Sequence, residues 1–534
     1  MIIINKKMPI PFTLVLSLLL SACASTQSSA VKAVKDIPLS PTFTTTNAIS
    51  GIESLDSGSE SDPGSESDSG SNKHVVDKWW RDFSDPQLNG LIDQALANNY
   101  SLQASLARIK QSQSRWDQAG SSKTPSVQLT AQQSRQWQDG LQQDGTTKDQ
   151  WQLGLSASYE LDFWGRIDSL DEQALQQLNA SRAAKNIQTN TVVSQVALAW
   201  YGSLQESQQL LLLGQQQARI KNALEVIRGR YLRGKVNASD MWQQEQLLES
   251  INSDIIRSET ALAIYKQQLA LWTGTVSVDQ VSAKTMPEPF HIPRFTDPIA
   301  QVTSDALHQR PDVKQAYAIG YKALSFAKSQ INGVMPTINK KNTSTYQWDV
   351  GAHILAAQAG LNVAQSNRYP RFTLSASYVS AVDTPSDILN NWMTNLIAGL
   401  AVPLIDGDNL QAEVRRNQAV VEEAVANYRQ VILTAMQEIE QGLINETQQF
   451  LLSKSLELQL QLANKTQQYL TQRYSNGAGD FLSLLTNQQQ TLQLERQVLA
   501  ADYQQLKYRI QLLTSLSHGR FSTDKVIESG DEDE

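Results

Sequence analysis

Two kinds of hydrophobic spacing alternate along this chain. Between residues 151 and 162, Trp151, Leu153, Leu155, Ala157, Tyr159 and Leu161 alternate with Gln152, Gly154, Ser156, Ser158, Glu160 and Asp162. A period of two gives a strand with one apolar and one polar face. Val127, Leu129 and Ala131 alternate with polar neighbours in the same way, as do Phe372, Leu374, Ala376 and Tyr378. Residues 392–402 form a fourth, less polar segment. Each segment is about the 9 to 11 residues that a membrane-crossing strand needs. Trp137, Trp151, Trp164, Tyr369 and Trp392 fall near the segment ends, where an interfacial aromatic belt would sit. The patterning alone suits two soluble hairpins packed on a core equally well.

Elsewhere the spacing is helical. From Arg166 to about Tyr231, and again from about Asn409 to Tyr474, apolar residues recur three and four positions apart among Gln, Glu and Arg. No proline lies between Pro125 and Pro287 or after Pro403, so nothing in these tracts breaks a long helix. Runs of roughly 65 residues extend about 100 Å at 1.5 Å per residue. Helices of that length point to coiled-coil or helical-repeat architecture.

The two halves match each other in order. Residues 95–102 parallel 306–313, Pro125–Ala131 parallels Pro370–Ala376, Gly165 parallels Gly407, and Tyr231-Leu232-Arg233-Gly234 parallels Tyr474-Ser475-Asn476-Gly477. An internal repeat of this kind sets the fold. It divides the chain into a first helix-strand-strand-helix-helix unit over 79–300 and a second over 301–517. The spacing between matching segments widens near Tyr317 to Val350, which implies an insertion there (about 317–350). Pro336, Asn339 and Asn342 suggest a loop that interrupts a helix.

The first residues bear on compartment. Lys6 and Lys7 precede an apolar run from about Pro9 to Leu20, which ends in Leu20-Ser21-Ala22-Cys23. This reads as a signal peptide over 1–22, with Cys23 as the site of a covalent lipid. Cys23 is the chain's only cysteine, so no disulfide is available. Ala24, rather than an acidic residue, follows it, which favours the outer membrane. Residues 23–78 contain the run Gly58-Ser59-Glu60-Ser61-Asp62-Pro63-Gly64-Ser65-Glu66-Ser67-Asp68 and read as a lipid-anchored flexible acidic linker. Residues 518–534 form an acidic tail. No later apolar run is long enough for a transmembrane helix, so a membrane-spanning part must be β-barrel. A net charge of -8 without a basic stripe argues against nucleic acid. His74, His291, His308, His353 and His518 are scattered without metal spacing, and there is no phosphate-binding glycine loop or nucleophile elbow. No enzymatic activity, metal or cofactor is expected, apart from the lipid on Cys23.

Four strands cannot close a barrel, and open edges in lipid leave backbone groups unpaired at several kcal/mol each. Two copies would give eight strands, whose interior is filled by side chains, whereas three copies leave a polar lumen.

Trp79-Trp80-Arg81-Asp82-Phe83 with Asp85-Pro86, the run from Tyr159 to Arg166, Arg310-Pro311-Asp312-Val313 and Pro403-Leu404-Ile405-Asp406-Gly407 resemble motifs of the TolC-like outer-membrane factor family. The likeness is nearer to its efflux outer-membrane lipoprotein (NodT-type) branch and covers about residues 79 to 518. It implies a mainly α fold with a transmembrane β-barrel: a channel-tunnel with four strands and long coiled-coil helices per protomer, and a twelve-stranded barrel in a homotrimer. It also implies an equatorial domain made from mid-chain and C-terminal segments. The function implied is the outer-membrane channel of a tripartite efflux system, a passive exit duct for small toxic solutes. Its partners would be outer-membrane lipid, a periplasmic adaptor (membrane fusion) protein and an inner-membrane efflux pump. The alternatives are the duct of a protein secretion system and a non-channel periplasmic coiled-coil lipoprotein.

By that resemblance the helix-to-helix turns Tyr231–Asp240 and Tyr474–Asp480 form the periplasmic tip that docks the adaptor, with Tyr231, Gly234, Tyr474 and Gly477 at its reversals. Asp240 and Asp480 either cap the following helices or place a negative ring at a closed entrance. Relatives often carry entrance aspartates slightly before or after this position, where this chain has Gly479, Ser483 and Thr486. Arg230 and Arg473 either make inter-helix hydrogen bonds that hold the entrance shut or stand as solvated cations at helix C-termini.

Overall fold

Asp85 starts the first helix of the folded body. One of its carboxylate oxygens accepts from the backbone N–H of Gln87 and of Leu88, while Pro86 takes a first-turn position whose N–H has no helical partner anyway. The computed structural model describes residues 42–44, 78–140, 143–275, 293, 298–299, 301–303, 310–316 and 352–517. The signal peptide, Cys23, most of the acidic linker, the insertion and the acidic tail lie outside the described residues.

After a 3-10 turn at Trp79–Phe83, the first half runs α1 (Pro86–Asn98), α2 (Tyr100–Ser121), β1 (Ser126–Gly140), β2 (Gln143–Leu161), α3 (Arg166–Tyr231) and α4 (Ala238–Thr273). The second half runs α5 (Pro311–Ala316), α6 (Ala352–Ser366), β3 (Arg371–Val382), β4 (Trp392–Ala401), α7 (Asn409–Ser475) and α8 (Phe481–Leu516). A short strand pair, Thr42–Thr44 with Gln301–Thr303, stands apart. The halves agree in length as well as in order: α3 and α7 have 66 and 67 residues, and α4 and α8 have 36 each. Both long helices start where the proline-free spacing placed them. Among the described residues no helix is long and apolar enough to cross a membrane.

The strands form one antiparallel sheet in the order β1-β2-β3-β4. Its register aligns Val127, Ala157, Ala376 and Leu396 in one row and Leu129, Leu155, Tyr378 and Thr394 in another. Directly opposed residues share a face, so the apolar series of all four strands point the same way. Gln128, Ser156, Ser377 and Asn395 line the opposite face. Among the described residues most of the apolar face is uncovered: Leu129 is 69% exposed and Leu396 is 74% exposed, whereas Ser380 and Val382, opposite Trp392 and Trp151, are buried. A hairpin pair seated on a soluble core would have buried these side chains, so that expectation fails.

One further expectation needs correction. Strands of 9 to 11 residues were expected, but β1 has 15 and β2 has 19. Their pairing continues through polar residues, with Arg135 opposite Asp149 and Gln136 opposite Lys148. Backbone pairing needs no apolar alternation where water reaches the side chains. Around the middle of α3, Val192, Val196, Trp200 and Tyr201 pack against Trp79, Trp80 and Phe83, against Leu88 and Ile92 of α1, and against Leu506 and Ile510 of α8. The N-terminal turn thus joins the C-terminal helix in this cluster, and the mid-chain part of the expected equatorial domain falls mostly on 276–309, outside the described residues. The indole Nε1 of Trp200 donates to the second Asp85 oxygen at 2.8 Å, so one aspartate both starts α1 and ties it to α3.

Candidate functional site

Three features make up the candidate site: the two-faced sheet, the corners where strands turn into long helices, and the far ends of those helices. Both corners use an aspartate. After β2, the Asp162 carboxylate accepts from the backbone N–H of Arg166 at 2.7 Å and of Asp168 at 2.9 Å, and Gly165 adopts a positive φ of 69°. Arg166 closes the bend with a paired ion contact to Glu160 at 2.9 and 2.8 Å. After β4, Asp406 accepts from the N–H of Asp408 at 3.2 Å and of Leu410 at 2.8 Å, and Gly407 has φ 63°. These aspartates satisfy orphan donors at the start of α3 and α7 and sit beside the positive ends of their dipoles. The aromatic residues collect at the two ends of the sheet. Trp164 stacks on Tyr369 with centroids 4.9 Å apart and donates to the Pro370 carbonyl at 2.8 Å, joining the halves at the helical end. Trp392 stacks on Tyr378 at 4.4 Å toward the hairpin end.

At the far end of α3 and α7 the chain reverses twice by the same device. Gly234 N–H donates to the Tyr231 carbonyl and Lys235 N–H to the Arg230 carbonyl, at 2.8 and 2.9 Å. Gly477 N–H donates to Tyr474 and Ala478 N–H to Arg473, at 3.1 and 3.0 Å. Each is a Schellman pair closed by a left-handed glycine, with φ 66° at Gly234 and 77° at Gly477. That is the structural content of the repeated Tyr-x-x-Gly.

The charged tip residues divide. Asp480 caps α8, accepting from the Ser483 N–H at 3.0 Å. Asp240 does not cap α4: Asn237 occupies the N-cap, three residues after Gly234 just as Asp480 follows Gly477, and Asp240 stands in the first turn at the position of Ser483. Arg230 lies over the Tyr474 ring, 4.5 Å from its centroid, and so joins the two hairpins through an aromatic face rather than a hydrogen bond. Phe481 touches the same ring at 5.7 Å. Arg473 donates instead to the Ala478 carbonyl of its own turn at 2.8 Å.

Above the tip the hairpins are tied side to side. Arg219 of α3 pairs with Glu495 of α8 at 2.6 Å, and Gln216 donates to the same carboxylate at 2.8 Å and to the Leu492 carbonyl at 3.1 Å. Arg496 of α8 pairs with Asp254 of α4. Apolar packing of Leu213, Ile220, Leu247, Ile251, Leu485 and Leu492 backs these contacts.

Sequence reasoning missed two buried ionic clusters. Arg310 pairs with Asp312 and with Glu438 of α7, the latter at 2.6 Å, and donates to the Ser515 carbonyl of α8 at 3.1 Å. Burial opposes its charge, but these carboxylates hold its pKa above the ordinary arginine value. The Arg310-Pro311-Asp312 spacing was visible, but its partners on α7 and α8 were not. Glu446 of α7 is fully buried against Arg509 of α8. Burial pushes its carboxyl up from the usual range, and the Arg509 guanidinium pulls the other way. The Arg310 cluster lines a cavity of about 480 Å³ together with Asn190, Gln441 and Ser515. Among the described residues no group of three or more His, Cys, Asp or Glu is placed to hold a metal.

Comparison with known proteins agrees with this geometry. A model of the family described as "Outer membrane efflux protein" matches residues 91–275 and 349–518. The pyoverdine export outer membrane protein OpmQ of Pseudomonas aeruginosa is 30% identical over 385 residues, covering 70% of this chain and 73% of the relative. The probable outer membrane lipoprotein SilC of Salmonella typhimurium is 24% identical over 446 residues, covering 83% and 88%. The crystal structure of the outer membrane protein VceC from Vibrio cholerae superposes with a TM-score of 0.70 at 20% identity, covering 83% of this chain and 98% of that one. This last likeness concerns the fold alone.

Proposed function

The chain belongs to the outer membrane efflux protein family, and from that premise we propose that it works as a homotrimer, the passive exit duct of a tripartite efflux system. The observation that carries this reading is a sheet with a largely uncovered apolar face, a polar opposite face and, among the described residues, two unpaired edges, β1 and β4. In lipid those edges must pair, and only a neighbouring copy can supply the partner strand. Three copies close twelve strands around a polar lumen. α3 and α7 leave the same end of the barrel and continue it as a helical tube of about 100 Å at 1.5 Å per residue.

The duct needs no catalytic group, since its cargo is moved by energy spent elsewhere. The tips that carry Tyr231, Gly234, Tyr474 and Gly477 dock a periplasmic adaptor protein, which connects to an inner-membrane pump. A lipid on Cys23 anchors the N-terminus to the outer membrane; SilC, a relative of similar length, is itself named a lipoprotein. The cargo is a small toxic solute chosen by the pump, because a wide lumen lined by Gln, Ser and Thr has no pocket to choose it. A deletion strain should accumulate dyes or other pump substrates while its secreted proteins stay at normal levels. Loss of exoproteins with normal solute accumulation would instead favour the secretion duct.

Asp480 contributes to the charge of the entrance. In planar bilayers under a salt gradient, Asp480→Asn should reduce the preference for cations while leaving thermal stability intact, since Asn caps a helix as well as Asp does. Asp480→Ala should lose the cap too, at about 1 kcal/mol per subunit. Unchanged reversal potentials in both variants would remove Asp480 from the gate.

A further inference from the structure

The lipid-facing side of the sheet does not end in apolar residues. On β1 the outward series Val127, Leu129, Ala131 and Gln133 continues into Arg135 and Trp137. On β2 the outward series Leu155, Leu153 and Trp151 continues into Asp149 and Thr147, and the register sets Arg135 opposite Asp149. Both charged side chains therefore project from the same face as Leu129 and Leu155, whereas Lys148 and Gln136 project from the lumen face. Arg135 donates through Nε and Nη2 to the two Asp149 oxygens at 2.6 and 2.8 Å. A guanidinium carries five N–H donors in a rigid fork. The paired contact uses one edge of that fork, fixes its plane and leaves its other edge to meet an acceptor; the Arg135 side chain is about half exposed. Trp137, 73% exposed, follows on the same face, and Trp151 precedes it.

The level of this cluster follows from topology. The opposite end of the sheet feeds α3 and α7, so the β1–β2 turn faces the cell exterior. Below Arg135 the outward face is the apolar surface that lipid covers. The face is continuous with that surface, so the next layer it meets is the outer-leaflet headgroups. In an outer membrane that leaflet presents phosphates on saccharide.

We propose that Arg135, oriented by Asp149 and flanked by Trp137 and Trp151, binds a phosphate of the saccharide-bearing lipid of the outer leaflet, one lipid per subunit. Guanidinium and phosphate match in charge and fork geometry, and tryptophan favours the apolar-to-wet boundary on either side. Asp149 acts as a positioning residue: it touches no lipid but sets the plane of the group that does. This inference rests on the strands spanning the outer membrane.

The test uses the full-length protein purified in detergent, stripped of lipid and examined by native mass spectrometry. Lipid A is added in one arm and phosphatidylglycerol in the other. The wild-type trimer should bind up to one lipid A per subunit and bind phosphatidylglycerol less well. Arg135→Gln should weaken lipid A binding by about tenfold, with trimer mass checked in the same spectrum. Asp149→Asn should weaken it less, because the guanidinium keeps its charge but loses its fixed plane. Arg371→Gln, at the helical end of β3, should bind as wild type. Equal lipid A binding by wild type and Arg135→Gln would overturn the proposal, as would equal binding of the two lipids by wild type. A wild-type protein that forms no trimer and carries no current would mark failure of the duct reading itself, and this site would fall with it.

Discussion

Tyr474→Ala is expected to open the tip, raising single-channel conductance in planar bilayers and the share of time spent in conducting states. The Tyr474 ring joins the two tips: Arg230 of the first hairpin covers it at 4.5 Å and Phe481 of its own hairpin meets it at 5.7 Å. A cation–aromatic contact at a partly exposed site is worth about 0.5–1 kcal/mol. Repeated in three subunits that open together, the sum is about 1.5–3 kcal/mol, which shifts the open-to-closed ratio by roughly ten- to a hundredfold. Arg230→Gln should produce much of the same change. The double variant should add little, because both remove one contact. Arg473→Gln should have a smaller effect, since the contacts of Arg473, with the Ala478 carbonyl and the Tyr469 ring, stay within its own hairpin. If Tyr474→Ala and Arg230→Gln act additively, or leave the currents as they were, the contact does not hold the entrance closed.

Gly202→Ala should destabilise the subunit even though alanine favours a helix interior. Gly202 lies in the middle of α3, and a Cβ there would stand 2.4 Å from the Tyr265 ring of α4. The half-buried Tyr265 is hydrogen-bonded to Tyr503 of α8, so the ring cannot step aside without disturbing that contact. Overpacking of this kind costs about 1–3 kcal/mol, against about 0.5–1 kcal/mol gained from helix propensity. The expected readout is a lower temperature of heat-induced trimer dissociation, with a larger drop for Gly202→Val. Adding Tyr265→Ala to Gly202→Ala should recover part of the loss, because it removes the clashing ring. Absence of any recovery would place the effect elsewhere than at this helix crossing.

The parts of the fold that were legible in the sequence are those governed by local rules. α3 and α7 could be bounded because apolar spacing runs without a proline from Arg166 and from Asn409, and the tip turns could be found because a Schellman end demands glycine at a fixed distance. The apolar faces of β2 and β3 showed through strict alternation. The outer half of β1 did not, because Gln132, Gln133, Ser134, Arg135 and Gln136 are polar on both faces and only cross-strand pairing makes them a strand. Contacts between distant segments were illegible for a different reason. Arg230 meets Tyr474, Asp85 meets Trp200 and Arg310 meets Glu438 only because the helices lie side by side, and nothing in their local spacing names the partner. Asp240 and Asp480 were both expected as caps, yet counting from Gly234 and Gly477 places Asn237, not Asp240, opposite Asp480, and Asn237 holds the N-cap.

The account turns on whether the free edges of this sheet close by joining neighbouring copies. Imaging of detergent-purified particles measures this directly. The expected particle is a cylinder with threefold symmetry, about 130 Å long from ~100 Å of helix on a ~30 Å membrane span, and open through its axis. A monomer that stays dispersed without detergent, with its apolar sheet face covered by its own chain, would contradict it.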